Sequence, residues 1–162
     1  ILRNNQNNFI AEIANDNSVG QIVLSGKTKD LEKLSSYLKE NKIKNIKLPV
    51  SAPFHSSLMN KATDIMREEL GRLNFKKGSN PLISNITADE IFNAEELKDL
   101  LVKQIENRVR WRESVVNMID KGINQFIEIG PGKVLSGLVK RINKEVKVSS
   151  INNEEEIKNI KI

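Results

Sequence analysis

Cysteine is absent from the 162 residues. That excludes a disulfide framework, a thiolate metal site and a cysteine nucleophile, and it points to a reducing, cytoplasmic compartment. Histidine occurs once, so His55 is the single candidate for imidazole chemistry near neutral pH. With one imidazole and no thiolate, any metal would need carboxylates alone, and no D-x-D-x-D-G spacing occurs, so no metal site is expected. No stretch approaches 18 consecutive apolar residues, and the opening ILRNNQNNF has no basic stretch leading into an apolar one, so neither a transmembrane helix nor a secretory signal is expected. An initiator methionine is also missing, and the expectation is a fragment. No serine is flanked by glycine at both −2 and +2, so the G-x-S-x-G elbow that presents a serine nucleophile is lacking.

What remains is a soluble-type composition with a formal charge of +5. An acidic partner would fit that charge, but the chain also holds 20 Asn, 20 Ile and 19 Lys, a bias that AT-rich codons produce by themselves. Arg108, Arg110 and Arg112 around Trp111 could suggest a nucleic-acid patch. With 4% aromatics and both charge signs interspersed, a solvated helix start is the preferred reading, and no nucleic-acid or membrane partner is expected.

Periodicity supplies the elements. Two β-branched runs, FIAEIAN and QIVLSG, flank a DNSVG turn. Thr28 reads as the N-cap of a helix bearing Leu31, Leu34 and Leu38, ended by Asn41, and NIKLPV (45–50) reads as a strand. Pro49 and Pro53 stop regular structure, which puts a boundary near Ser51. Thereafter a helix spans Leu58 to Leu73, PLISNIT reads as a short strand, and a helix runs from Ala94 to about Glu106. Another runs from Trp111 to Lys121, QFIEIG reads as a buried strand, Lys133 to Asn143 as a helix, and KVSSI as a strand before a polar tail. The order is β-β-α-β over 1–51, then alternating strands and helices over 52–162, which implies an α/β fold with a parallel sheet. The Asn-rich start is expected to fray.

His55 lies in PVSAPFHSSLM, at the junction of the two units, where a proline-stiffened loop could hold a catalytic base. Ser56 and Ser57 read as helix caps rather than nucleophiles. Gly130-Pro131-Gly132-Lys133 could cradle a phosphate at a helix N-terminus, but a tight βα turn is preferred, because no Walker A spacing fits.

Four blocks together, ANDNSVGQIVLSG (14–26), LPVSAPFHSSLM (48–59), VKQIENRVRW (102–111) and EIGPGKVLSGLVKRI (128–142), resemble the C-terminal half of the malonyl-CoA:acyl carrier protein transacylase family. The resemblance implies the C-terminal part of an α/β-hydrolase-like acyltransferase core (52–162) with part of a ferredoxin-like insert (1–51). It also implies that His55 is the catalytic base, and that the backbone carbonyl of Gln104 orients it. Asn15, Asn17 and Gln21 would face the pantetheine and carrier-protein side of the groove. Val19 departs from the proline that many members carry. Malonyl-CoA and the phosphopantetheine thiol of the carrier protein are then substrates, and no cofactor is implied. The family's serine and its malonyl-binding arginine lie outside these blocks, so the expected active species includes a separate N-terminal half. The rival reading is a non-catalytic carrier-protein-binding module or an inactive gene remnant.

Overall fold

The computed structural model describes residues 9–159, so the expected fraying at the Asn-rich start lies outside the described residues. The chain is mixed α/β, with three two-stranded sheets among those residues. Strands β1 (Ala11–Ser18) and β2 (Gln21–Gly26) form an antiparallel hairpin whose turn uses Gly20 at positive φ. Register shifts at Ala14 and Asn17 place an extra residue on β1 twice. Bulges of this kind bend a strand and re-aim its side chains. Ala14, Asp16 and Ser18 are buried, and Asn15 and Asn17 between them are half-buried.

Helix α1 (Thr28–Glu40) buries Leu34. Its N-cap is Lys27, with no side-chain capping bond, rather than Thr28, which is the first helical residue. It closes with Lys42 at φ +59, where the Ile43 N–H reaches the Leu38 carbonyl and the Lys42 N–H reaches that of Lys39. This is the Schellman arrangement that usually employs glycine. The strand expected over 45–50 does not form. Asn45 is tied back to α1, accepting the Ser35 hydroxyl at 2.7 Å and donating to the Ile43 carbonyl at 3.1 Å. Local asparagine bonding of this kind competes with a strand ladder, and Ile46, Leu48 and Val50 stay exposed.

Beyond the proline segment, a 3-10 turn (Ser57–Met59) leads into α2 (Asn60–Gly71). The PLISNIT strand shrinks to β3 (Leu82–Ile83), paired antiparallel with an unforeseen β4 (Glu90–Ile91). Helix α3 (Ala94–Gln104) begins at Asn93, whose side chain accepts the Glu95 and Glu96 N–H groups at 2.8 and 3.1 Å. Then come α4 (Trp111–Asp120), β5 (Gln125–Ile129), α5 (Val134–Ile142), β6 (Lys147–Ile151) and α6 (Glu154–Asn159). The parallel sheet is reduced to β5 and β6, with α5 as their crossover, and β5 is only half-buried, Ile129 being 78% exposed. The core between α4, α5 and these strands is Val115, Val139 and Val146, covered by Trp111, Met118, Phe126 and Val148. Among the described residues no helix is long and apolar enough to cross a membrane.

Candidate active site

His55 is held in the left-handed region at φ +57. Histidine tolerates this region better than most residues, yet the conformation stores on the order of 1–3 kcal/mol and persists only where the surroundings over-determine it. They do so here. The His55 N–H donates to the Ile105 carbonyl at 3.2 Å, and the ring Nδ1 lies 2.8 Å from the Gln104 carbonyl oxygen. A carbonyl can only accept, so Nδ1 carries a proton, and in the neutral ring Nε2 then keeps a lone pair. Among the described residues no hydrogen bond engages Nε2.

The two serines after His55 are not free hydroxyls. Ser56 is fully buried and donates to the Pro53 carbonyl at 2.7 Å. Ser57 donates its hydroxyl to Glu12 at 2.6 Å, and its N–H meets both oxygens of the same carboxylate at 3.1 and 3.3 Å. Neither serine caps with its side chain as the sequence suggests; an acid 45 residues upstream supplies the cap. Ser57 therefore has no hydroxyl to offer His55 as nucleophile. Sequence reasoning missed Glu12, because nothing local marks a contact between a strand and a distant turn.

Gln104 and Ile105 begin a stretch that ties three parts of the chain together. Val109 bonds β1 on both sides, its N–H to the Ala14 carbonyl at 2.8 Å and its carbonyl from the Asp16 N–H at 2.9 Å. Arg112 forks onto the buried Asp16 carboxylate at 3.0 and 2.7 Å, and that pairing raises its already high pKa. Arg110 reaches the Ile86 and Thr87 carbonyls at 3.1 and 2.9 Å while it pairs with Glu113, which Arg108 also meets at 3.0 Å. These arginines stand at the start of α4 with about a third or more of each side chain exposed, and each is also tied into intramolecular bonds. The Arg110 hydrogen bond first, then the charges of Arg110 and Arg108, hold the Glu113 carboxyl below the ordinary range against the opposing effect of its burial.

The Gly130–Lys133 loop is a turn, with Gly130 and Gly132 at φ +137 and +93. The helix end behind it already holds an anion: Glu128 accepts the Leu135 and Ser136 N–H groups at 3.1 and 2.7 Å. Hydrogen bonding to Ser136, and then to the Leu135 and Val134 amides, holds the Glu128 carboxyl below the ordinary range. A helix N-terminus filled by the chain's own carboxylate does not hold a phosphate.

Of the residues singled out from sequence, His55 and Gln104 meet directly. Asn15, Asn17 and Gln21 lie on the hairpin, and among the described residues none is hydrogen-bonded to His55. Gln21 instead accepts a hydrogen bond from Arg141 of α5. Two shallow hollows, of about 440 and 360 Å³, lie over β6 against α6 and α5, and neither is lined by His55.

No family model matches the chain. The malonyl CoA-acyl carrier protein transacylase of Bacillus subtilis (strain 168) is 43% identical over 149 residues, which is 91% of this chain and 47% of that protein. The crystal structure of malonyl CoA-acyl carrier protein transacylase from Clostridium perfringens superimposes with a TM-score of 0.90 at 38% identity, over 97% of this chain and 50% of that one. That of the acyl-carrier-protein-S-malonyltransferase from Bartonella henselae gives 0.87 at 42% identity, over 92% and 48%. The chain spans about half the length of the relatives it matches, and over nearly all of its own length it is similar to malonyl CoA-acyl carrier protein transacylases.

Proposed function

We propose that the chain supplies the general base of a malonyl transfer from coenzyme A to the phosphopantetheine thiol of acyl carrier protein, a step of fatty acid biosynthesis. One observation carries the reading: the sole imidazole is presented from a strained backbone with Nδ1–H directed to the Gln104 carbonyl. A base oriented in this way has its Nε2 lone pair available for a hydroxyl proton. In the first half-reaction a serine hydroxyl passes its proton to Nε2 as its oxygen bonds the thioester carbon, and the proton then goes to the departing coenzyme A sulfur. In the second, the carrier thiol gives its proton to Nε2, its sulfur bonds the acyl carbon, and the serine oxygen leaves with the proton. Malonyl-CoA, the acyl donor, and the carrier's phosphopantetheine thiol, the acyl acceptor, are both substrates, and the scheme needs no cofactor.

The nucleophile and the arginine that would fork onto the malonyl carboxylate come, in this reading, from a separate N-terminal half. Exposed apolar side chains support such a partner. Phe54 beside the base is 50% exposed, and Ile129 and Val134 around the glycine turn are 78% and 72% exposed. Apolar surface of this kind marks an interaction site. We assign residues 52–162 to the C-terminal part of an α/β-hydrolase-like core and 1–51 to part of a ferredoxin-like insert. Asn15, Asn17 and Gln21 of the hairpin then serve the pantetheine and carrier side.

The test mixes the 162-residue chain with an N-terminal half bearing the serine elbow and arginine, and follows malonylation of holo carrier protein by mass spectrometry. The chain alone gives no transfer, the mixture does, and His55→Ala lowers the restored rate by ~10²–10⁴. Malonyl carrier formed by the chain alone, or an unaltered rate with His55→Ala, defeats the proposal.

A further inference from the structure

We infer that Glu12, on strand β1, is a positioning residue for His55. The inference rests on the reading of His55 as a base, and it is tested on the imidazole itself. The Glu12 carboxylate binds the Ser57 hydroxyl at 2.6 Å and the Ser57 N–H at 3.1 and 3.3 Å. Ser57 is the first residue of the 3-10 turn that opens α2, and its N–H is one of those a helix start leaves unpaired. A negative charge there is favoured by the helix dipole as well as by the hydrogen bonds.

The anchor sits two residues after a backbone in the left-handed region. Upstream, Ser56 is fixed to the Pro53 carbonyl, and His55 itself is fixed to Ile105. With Glu12 in place the segment is pinned on both sides, and φ at His55 stays at +57. Without it, the downstream side keeps only the local bonds of Ser56 to Pro53 and Met59 to Ser56, and relaxation of residue 55 to negative φ turns Cβ away from its present direction. The Nδ1–H bond to Gln104, which selects the tautomer that leaves Nε2 unprotonated, is then lost. Glu12 acts through the backbone and reaches no reacting atom.

A chain with one histidine makes the tautomer directly readable. In the 162-residue chain labelled with nitrogen-15 histidine, in alkaline buffer where the ring is neutral, the two ring nitrogens report the Nδ1–H to Nε2–H ratio. The expected wild-type state is dominated by Nδ1–H. Glu12→Ala lowers the ratio about three- to tenfold, whereas Glu12→Gln, whose amide oxygen still accepts from Ser57, keeps most of it. Ser57→Ala, which removes only the hydroxyl contact, moves the ratio in the same direction by less and serves if Glu12→Ala does not fold. Val115→Ala, which loosens the core away from this turn, leaves the ratio unchanged. If Glu12→Ala and Ser57→Ala keep the wild-type ratio, or Val115→Ala shifts it equally, the inference is overturned while the reading of His55 stands. A wild-type chain dominated by Nε2–H overturns both, because the Gln104 contact is then absent.

Discussion

Replacing Glu113 with glutamine tests whether the arginine cluster is a structural tie. Glu113 accepts from Arg110 through Nε at 2.8 Å and through Nη2, and from Arg108 at 3.0 Å. Its side chain is 29% exposed, and those of Arg108 and Arg110 are 39% and 34% exposed. Hydrogen bonds to charged groups contribute about 1.5–3 kcal/mol when well buried. Screening at this exposure reduces the expected loss for Glu113→Gln to about 1–2 kcal/mol at neutral pH. The pH dependence supplies the second arm. The folded pKa of Glu113 lies below its unfolded value, chiefly through Arg110. The folded state therefore binds the proton less readily. Its stabilisation is fully present above the unfolded value of about 4.3 and is lost as pH falls through that value and then through the folded one. Urea unfolding followed by the fluorescence of Trp111, the only tryptophan, reads both arms, with sucrose added to favour the compact state. Wild type should exceed Glu113→Gln by that margin near pH 7, and the difference should shrink progressively as pH falls below the unfolded value. A difference that is absent near pH 7, or that persists undiminished near pH 3, refutes the assignment.

Lys42→Gly should stabilise the chain by about 0.5–1 kcal/mol, because relief of a left-handed lysine (~1–2 kcal/mol) exceeds the entropy glycine adds to the unfolded state; a lower urea midpoint would contradict it. Gly26→Ala should destabilise by about 1–3 kcal/mol, since its Cβ would lie 2.8 Å from the Ile10 carbonyl oxygen, and an unshifted midpoint would show that the hairpin end yields freely. The chain alone should bind a dye selective for exposed apolar surface and release it when an N-terminal half is added; an isolated chain that binds none would show that Ile129, Val134 and Phe54 need no cover.

Amphipathic periodicity made α1, α3, α4 and α5 legible to within a few residues, because their buried faces are set by local spacing. Among the strands, QIVLSG, QFIEIG and KVSSI match β2, β5 and β6 to within a residue, whereas NIKLPV and most of PLISNIT do not form strands. NIKLPV has strand-like composition, but its asparagine found a partner in Ser35 before any strand could. β4 and α6 are too short to leave a periodic signal. At the candidate site, the identity of His55 and the carbonyl role of Gln104 followed from the resemblance of the blocks around them. The positive φ, the carboxylate of Glu12 and the Asp16–Arg112 fork did not follow, since each depends on residues 45 to 96 positions apart. An Asp or Glu in a strand sequence carries no mark of the turn it will cap. The glycine loop shows the converse: its preferred reading as a turn agrees with the observed φ values, but the acid that fills the helix end, Glu128, lay unnoticed within the same motif.

The long-range contacts form a closed circuit. Glu12 of β1 holds Ser57; two residues back, His55 holds Gln104 and Ile105; four residues on, Val109 returns to Ala14 and Asp16 of the same strand. Arg112 closes the circuit again through Asp16, and its fork fixes orientation as well as distance. A strained residue in an open chain relaxes by moving its neighbours. In a ring of hydrogen bonds, any such movement must break a second contact. The circuit thus gives a physical reason for the left-handed His55 to persist, and it fixes the hairpin bearing Asn15, Asn17 and Gln21 relative to the imidazole without any direct bond between them. It also explains why a carbonyl can do the orienting: Gln104 selects the tautomer with a dipole and no added charge, so rigidity must come from elsewhere, and the backbone of β1 provides it.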